Sequence, residues 1–406
     1  MPTSTDIDLG SSDYRRDPVP AWERLRDEAP IHLDESTGCW IVSRYDDVAT
    51  VLRDHETYSI ATYEQATGAV LGPTLIQMDG PEHVWRRSAV APDFVGTRLE
   101  SWMPTLREAI DDLIERFPRG GVVDVVSDFS TWLPVNVIVA MLGFDGDQAT
   151  FHGWVKDIMA GLAPIPELRE RGRAAHGALC AHIEPNLREV EEVDRHDLIA
   201  KIARAESDGQ RLDPEEVRAF IGLLFIAGGE TTDKAIGNLW WNLLRHPEVL
   251  AAVSVDRELL QPAFTETMRL DAPVVSEDRF TTAPVEWHGV ELPVGARIRA
   301  MIGAAHRDPT VFSDPDEFRL DRDDLHLGVE RRYGGGDDDR SGHLGFGLGK
   351  HFCLGYQLAR SEAVMGTDRL LDRLPRPRFA DPDQPGPELH RSMRSLRSLP
   401  VAHDGA

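Results

Sequence analysis

His343-Leu-Gly-Phe-Gly-Leu-Gly-Lys-His-Phe-Cys353-Leu-Gly355 decides the reading of this chain. Gly345, Gly347, Gly349 and Gly355 let the backbone pass close to another body, where a Cβ would obstruct the approach. Gly345 to Lys350 superficially resembles a phosphate loop, but the spacing is wrong and His351 stands where Ser or Thr would hold magnesium. Cys353 immediately precedes an amphipathic pattern, Leu354, Leu358, Ala359 and Val364, which predicts a helix running to about Leu374. A helix N-terminus lowers a thiol pKa and favours the thiolate. A lone cysteine is ordinarily inert and buried; the glycines around this one argue against that reading.

Working outward, no second cysteine lies close enough for zinc or an iron–sulfur cluster. A lone thiolate in a tight glycine loop suits one axial bond to a haem iron. The clearest helix starts at Asp213, an N-cap followed by Pro214 at the first helical position and Glu216 at the capping-box position. Its apolar residues run to a stop at His246-Pro247, a rod of roughly 50 Å that should be central and buried. Ala227-Gly228-Gly229-Glu230-Thr231-Thr232 interrupts its middle. Two interior glycines cost about 1 kcal/mol each, and an acid among apolar residues costs more unless paired. Two readings follow: a packing contact that needs small residues, or a groove in the helix wall with Glu230 and Thr231 placed to handle protons.

The remainder predicts a mainly helical chain with a smaller β part and no internal repeat. Residues 1–18 read as a loose tail with some anchoring residues, 21–28 and 45–53 as helices, and 32–43 as a hairpin turning at Gly38. Residues 57–80 read as a long loop, 81–270 as mostly helical, and 285–302 as strands. Among 406 residues, 41% are apolar and 28% charged, a globular balance. With 44 basic and 69 acidic residues the net charge is −25, which repels nucleic acid and anionic lipid. Three cysteines fit a reducing cytoplasm. The longest uncharged run, Thr131 to Phe144, is too short to span a bilayer and predicts a buried helix.

The chain is similar to the cytochrome P-450 family, haem-thiolate monooxygenases, of the soluble bacterial type. The family's Phe-x-x-Gly-x-x-x-Cys-x-Gly pattern is met by Phe346, Gly349, Cys353 and Gly355. Its central-helix pattern is met by Ala227, Gly228, Glu230 and Thr231. Its Glu-x-x-Arg pattern is met by Glu266 and Arg269, with Arg322, four residues after Phe318, as the later partner. These matches fall in family order over nearly the whole chain. The resemblance implies one P-450 domain over residues 1–406, with haem b between the long central helix and the Cys-loop helix, and Cys353 as the iron ligand. It implies that His83, Arg87, Arg279 and His351 meet the haem propionates, and that Thr231 and Glu230 deliver protons. It implies O2 as co-substrate and electrons originating from NAD(P)H. No stretch resembles a fused flavin or ferredoxin domain, so a separate ferredoxin and its reductase are expected. Arg86, Lys350 and Arg360 are candidates for their docking. The expected protein is a cytoplasmic monomer.

By the same resemblance, Leu71, Leu75, Leu223, Ala227, Val274, Val275 and Leu396 line the substrate pocket, with Ile158 and Leu162 as further candidates. They are overwhelmingly aliphatic, which implies an apolar organic molecule of small to medium size, such as a terpenoid, polyketide or aromatic compound. The expected reaction is hydroxylation or epoxidation. A peroxide-driven peroxygenase of the same fold ranks lower because Glu230-Thr231 is intact. A haem-binding sensor ranks lower again because it needs no proton relay. Two departures stand out. Residues 323–342, with six acids and three arginines, form a longer Gly/Asp-rich insertion than the family usually has. His306 stands where the family commonly has Asn, a difference expected to have little consequence.

Overall fold

In the computed structural model, which describes residues 7–190, 197–328 and 342–405, the central helix is unbroken from Pro214 to Arg245. At 32 residues it is ~48 Å long. Its start is set by the reciprocal capping box. The Glu216 N–H donates to Asp213 Oδ1 at 2.9 Å, and the Asp213 N–H donates to Glu216 Oε2 at 2.9 Å.

The elements that position the site are few. Helices α1 (Val19–Glu28), α2 (Tyr45–Arg53), α3 (Gly80–Val90), α4 (Leu133–Met141), α5 (Gln148–Gly161) and α6 (Pro166–Glu189) precede the central helix, α7. Helices α8 (Leu260–Leu270), α9 (Ile302–Ala305) and α10 (Tyr356–Arg373) follow it. The uncharged run becomes α4, which is almost wholly buried. The largest apolar core gathers around α7 and takes in α4, α8 and α10.

The main sheet has five strands: β1 (Ile31–Asp34), β2 (Cys39–Val42), β3 (Tyr58–Ser59), β4 (Glu277–Thr281) and β5 (Arg297–Ala300), in the order β1-β2-β5-β4-β3. Strands β1 and β2 form the expected hairpin, and β5 joins β2 in parallel. The 285–302 region yields β5 and a small hairpin whose turn, His288-Gly289, has φ of 50° and 75°. Strand β4 was not separable by pattern, because Glu277, Asp278 and Arg279 interrupt its apolar character. It carries Arg279 into the interior.

One expectation needs correction. The N-terminal tail is not loose over its described part. Ser12–Arg16 is a helix capped by Ser11, and Tyr14 is buried, its hydroxyl accepting from Trp22 Nε1 at 3.2 Å. The Gly/Asp-rich insertion starts as packed chain. Leu325 is buried, and the Gly328 N–H donates to Thr265 Oγ1 at 3.0 Å. Residues 329–341, most of the insertion, lie outside the described residues.

A buried ion cluster fastens α8 to the chain after α9. Glu266 accepts from Arg269 Nε and Nη2, both at 2.8 Å, from Arg322 Nε at 2.7 Å and from the Arg319 N–H at 3.0 Å. The side chains of Glu266, Arg269 and Arg322 are fully buried. Removing one member of such a cluster leaves an uncompensated buried charge and costs about 3–5 kcal/mol. Glu266→Ala should lower holoprotein stability by about that amount in thermal unfolding. Arg319→Ala, whose side chain pairs with the exposed Asp314 and Asp321, should change it little. Equal losses in both variants would contradict the assignment.

Candidate functional site

The Cys353 loop is built from turns that glycine makes possible. The Cys353 N–H donates to the Phe346 carbonyl at 2.8 Å, and the Gly347 N–H to the Leu344 carbonyl at 2.8 Å. Gly349 has φ of +68°, and a Cβ there would lie 3.0 Å from the Arg53 carbonyl oxygen. A Cβ on Gly355 would enter open space. Phe346 packs in an aromatic group with Phe264, Phe352 and Tyr356. Cys353 is a free thiol that keeps some open surface. Burial pushes it up to about 11; a Gly355 N–H bond and Arg87 act downward and Glu277 upward. Burial therefore outweighs the helix terminus, which was expected to favour thiolate.

Four of the expected basic residues converge on this loop. The rings of His83 and His351 are 4.3 Å apart. His351 Nε2 is 2.9 Å from Asp79 Oδ1, and Asp79 also accepts from Ser59 Oγ at 2.6 Å. Arg87 Nη2 donates to the Phe352 carbonyl at 2.6 Å. Burial, then His351 and Arg87, push His83 down to about 3, so it is a neutral donor rather than a cation. Arg279 is buried and donates to Glu277 Oε2 at 3.0 Å, an oxygen that also accepts from Tyr63 at 3.1 Å. Asp79, Glu277 and Tyr63 were not anticipated, since each gains its role only from a tertiary contact.

The middle of α7 has two different faces. A Cβ on Gly229 would lie 3.3 Å from Val135 and 3.4 Å from Val155, and one on Gly228 3.5 Å from Ile138. Gly229 thus serves close packing against α4 and α5, while Gly228 is half-buried beside the exposed Ala227. The opening is on the other side, where Ala227 is exposed in a helix otherwise buried through its centre. The Thr231 hydroxyl faces it and donates to the Ala227 carbonyl at 2.6 Å. Glu230 has a buried Oε2 with no hydrogen-bond partner. Its carboxyl is raised by burial, with Lys234 acting downward and Asp233 upward. Lys234, one turn on, is bonded to Asp233 at 2.6 Å, and Asp233 also accepts from Ser130 Oγ at 2.6 Å. The i,i+4 spacing of Glu230 and Lys234 was readable in advance; the buried Asp233 between them was not.

Among the pocket candidates, Leu71, Leu75, Leu223, Leu396 and Ile158 are buried in the main core, and Leu162 packs against it. Val275 is not with them. It packs into a separate cluster with Tyr14, Trp22 and Leu389, while its neighbour Val274 is half-buried. Arg86 is also reassigned. Its guanidinium is paired with Glu216 and, at 2.8 Å, with Glu82, so it is not an open docking cation. Lys350 is exposed and Arg360 half-buried.

The Cytochrome P450 family model matches residues 165–375. Pulcherriminic acid synthase of Bacillus subtilis (strain 168) is 30% identical over 401 residues, covering 98% of this chain and 97% of the relative. This chain belongs to the cytochrome P450 family. Cytochrome P450 monooxygenase PikC of Streptomyces venezuelae is 31% identical, covering 97% of this chain and 94% of the relative. The crystal structure of CYP109E1 from Bacillus megaterium in complex with corticosterone superimposes with a TM-score of 0.83 at 28% identity, covering 96% of this chain and 99% of that one. The P450 is therefore an oxidoreductase of the monooxygenase family, which uses O2 and a haem-thiolate iron. No helix among the described residues is long and apolar enough to cross a membrane.

The residues fit that cofactor. Burial favours the neutral thiol of Cys353, and a metal ion bound there would displace its proton. The clearance at Gly355 would hold a flat body against the loop, and His83 Nδ1 is a buried polar atom without a partner. Cys353 would ligate the iron, while His83, Arg87, Arg279 and His351 stand where carboxylates could be met.

One buried acid was missed altogether. Glu362 on α10 is 2% exposed, its Oε2 lacks a partner, and burial alone raises its carboxyl well above the usual range. A raised folded-state pKa gives stability that is complete below the ordinary carboxyl range, ~4.3, and lost as pH rises toward the folded value. Glu362→Gln should therefore stabilise the P450 at neutral pH, with the advantage shrinking as pH falls toward that range. Thermal unfolding of both proteins across pH checks this; parallel curves would refute it.

Proposed function

We propose that this P450 hydroxylates or epoxidises an apolar organic molecule of small to medium size, a terpenoid, polyketide or aromatic compound of specialised metabolism. The electrons originate from NAD(P)H and arrive through a separate ferredoxin and ferredoxin reductase. The observation that carries the reading is the Glu230–Thr231 pair at the open face of an otherwise buried helix, with the free thiol of Cys353 in a glycine loop made for close approach. A structural neighbour solved in complex with corticosterone supports a substrate of substantial apolar surface. The buried aliphatic residues Leu71, Leu75, Leu223 and Leu396 support the same class.

Bound haem supplies the oxygen activation, and the chain supplies its ligand, protons and enclosure. The Cys353 thiolate donates electron density to the iron. The Thr231 hydroxyl spends its proton on the Ala227 carbonyl, which leaves its lone pairs to accept from a donor in the chamber. Glu230, raised by burial, exchanges protons closer to neutrality than an exposed carboxyl does. Lys234 opposes that rise, and Asp233 competes for Lys234. Burial is thus the main influence on the acid's proton affinity, and Lys234, shared with Asp233, moderates it.

Titrating the ferric holoprotein with terpenoids, macrolides, steroids and small aromatics, while watching the Soret band, tests the substrate class. A saturable low-spin to high-spin shift with one class is expected; no shift across the panel refutes it. Thr231→Ala should keep substrate-dependent NAD(P)H oxidation with surrogate redox partners but divert it to peroxide, lowering product per NAD(P)H by ~10-fold or more. Normal coupling in that variant would remove Thr231 from the proton route.

A further inference from the structure

His306 stands at the junction of two devices already described. It is fully buried just after α9. Its carbonyl accepts from Arg269 Nη1 at 2.9 Å, which joins it to the Glu266 cluster. Its ring Nε2 accepts the Leu344 N–H at 2.7 Å, which joins it to the Cys353 loop. Leu344 is itself fully buried, and its carbonyl accepts the Gly347 N–H that closes the first turn of the loop. From there the Phe346 carbonyl takes the Cys353 N–H. An unbroken line of hydrogen bonds and two short stretches of chain thus runs from Glu266 to the thiol.

We infer that His306 is a positioning residue for Cys353: its Nε2, as the acceptor for the Leu344 N–H, transmits the geometry of the Glu266–Arg269–Arg322 cluster to the start of the thiolate loop. The ring can accept only when neutral. Burial, with His343, Arg269 and Arg307 adding, keeps it so by holding its pKa well below the usual histidine value. The residues on either side hold the backbone still. The His306 N–H donates to Ile302 at 2.9 Å, Arg307 Nη1 donates to the Leu270 carbonyl at 2.8 Å, and Asp308 accepts the Tyr45 N–H at 3.0 Å. Tyr45 in turn donates its hydroxyl to the Gly342 carbonyl at 2.7 Å. The loop is therefore gripped at Gly342 and Leu344 by side chains that answer to one rigid cluster. On this inference His306, where the family commonly has Asn, would matter through the acceptor that its Nε2 offers to the Leu344 N–H. The inference rests on Cys353 as the haem ligand, but its first readout does not.

Hydrogen exchange and the ferrous carbon-monoxide spectrum of the haem-loaded protein test it. In the wild type the Leu344 amide should be as protected as the Arg319 amide, which donates to Glu266. His306→Phe keeps bulk but removes the acceptor. It should speed exchange at Leu344 by roughly 5- to 150-fold while leaving Arg319 unchanged. It should also move part of the thiolate-type band to the thiol-type band below the unfolding temperature. His306→Gln, which keeps an acceptor, should restore most of both. An unprotected Leu344 amide in the wild type, a normal band in His306→Phe, or Gln no better than Phe would each overturn the proposal. If neither variant folds, heating the wild type decides. Leu344 exchange must quicken together with the band conversion, and conversion with Leu344 still protected overturns the proposal.

Discussion

Glu266 is a carboxylate that water does not reach, and two guanidinium groups share it. Asp324 stands 3.5 Å from Arg322 Nη1, and the arginines spend their other donors on backbone carbonyls. Arg322 takes those of Ser313, Asp314 and Glu317, and Arg269 those of His306, Pro315 and Glu317. Five carbonyl groups of one irregular segment are thereby turned inward. That segment has little regular structure to fix its path. It follows the arginines because the alternative is buried charge without partners, which is far costlier than a constrained loop. The Cys loop is attached to this winding, so its position is an indirect product of the ion cluster.

Much of this was legible in the chain. The capping box at Asp213, the hairpin at Gly38 and the helix at 45–53 are local signals, and they appear where the residues put them. The pairing of Glu266, Arg269 and Arg322 was legible by resemblance alone, since spacing relates Glu266 to Arg269 but says nothing of Arg322. What could not be read depends on surroundings that only folding creates. The Cys353 thiol moves upward because enclosure outweighs the helix terminus. Gly228 and Gly229 turn out to face α4 and α5, a matter of helix rotation. Val275 lands in a different cluster because its neighbours there, Tyr14, Trp22 and Leu389, come from distant parts of the chain.

Charge is sorted the same way. The chain is strongly acidic, yet Arg87 reaches the Phe352 carbonyl next to Cys353, and His351 lies two residues before it. Asp79 holds His351 and Glu277 holds Arg279, so these two basic groups each have an acid attached, while Arg87 donates to a carbonyl. The carboxylates orient the basic groups while softening their field, and Glu277 pushes the thiol opposite to Arg87. A cofactor carboxylate entering here competes with a resident acid rather than meeting bare charge.

The reassignment of Arg86 reaches beyond docking. Helix α3 bears His83 and Arg87 on the side of the Cys loop, and Arg86 between them clasps Glu216 in the first turn of α7. Glu216 is also half of the capping box. One side chain therefore closes the helix start and grips a neighbouring helix at the same time. The near end of the central rod and the His83 and Arg87 side chains are coupled like a hinge pin and its leaf, and a displacement of either is felt by the other.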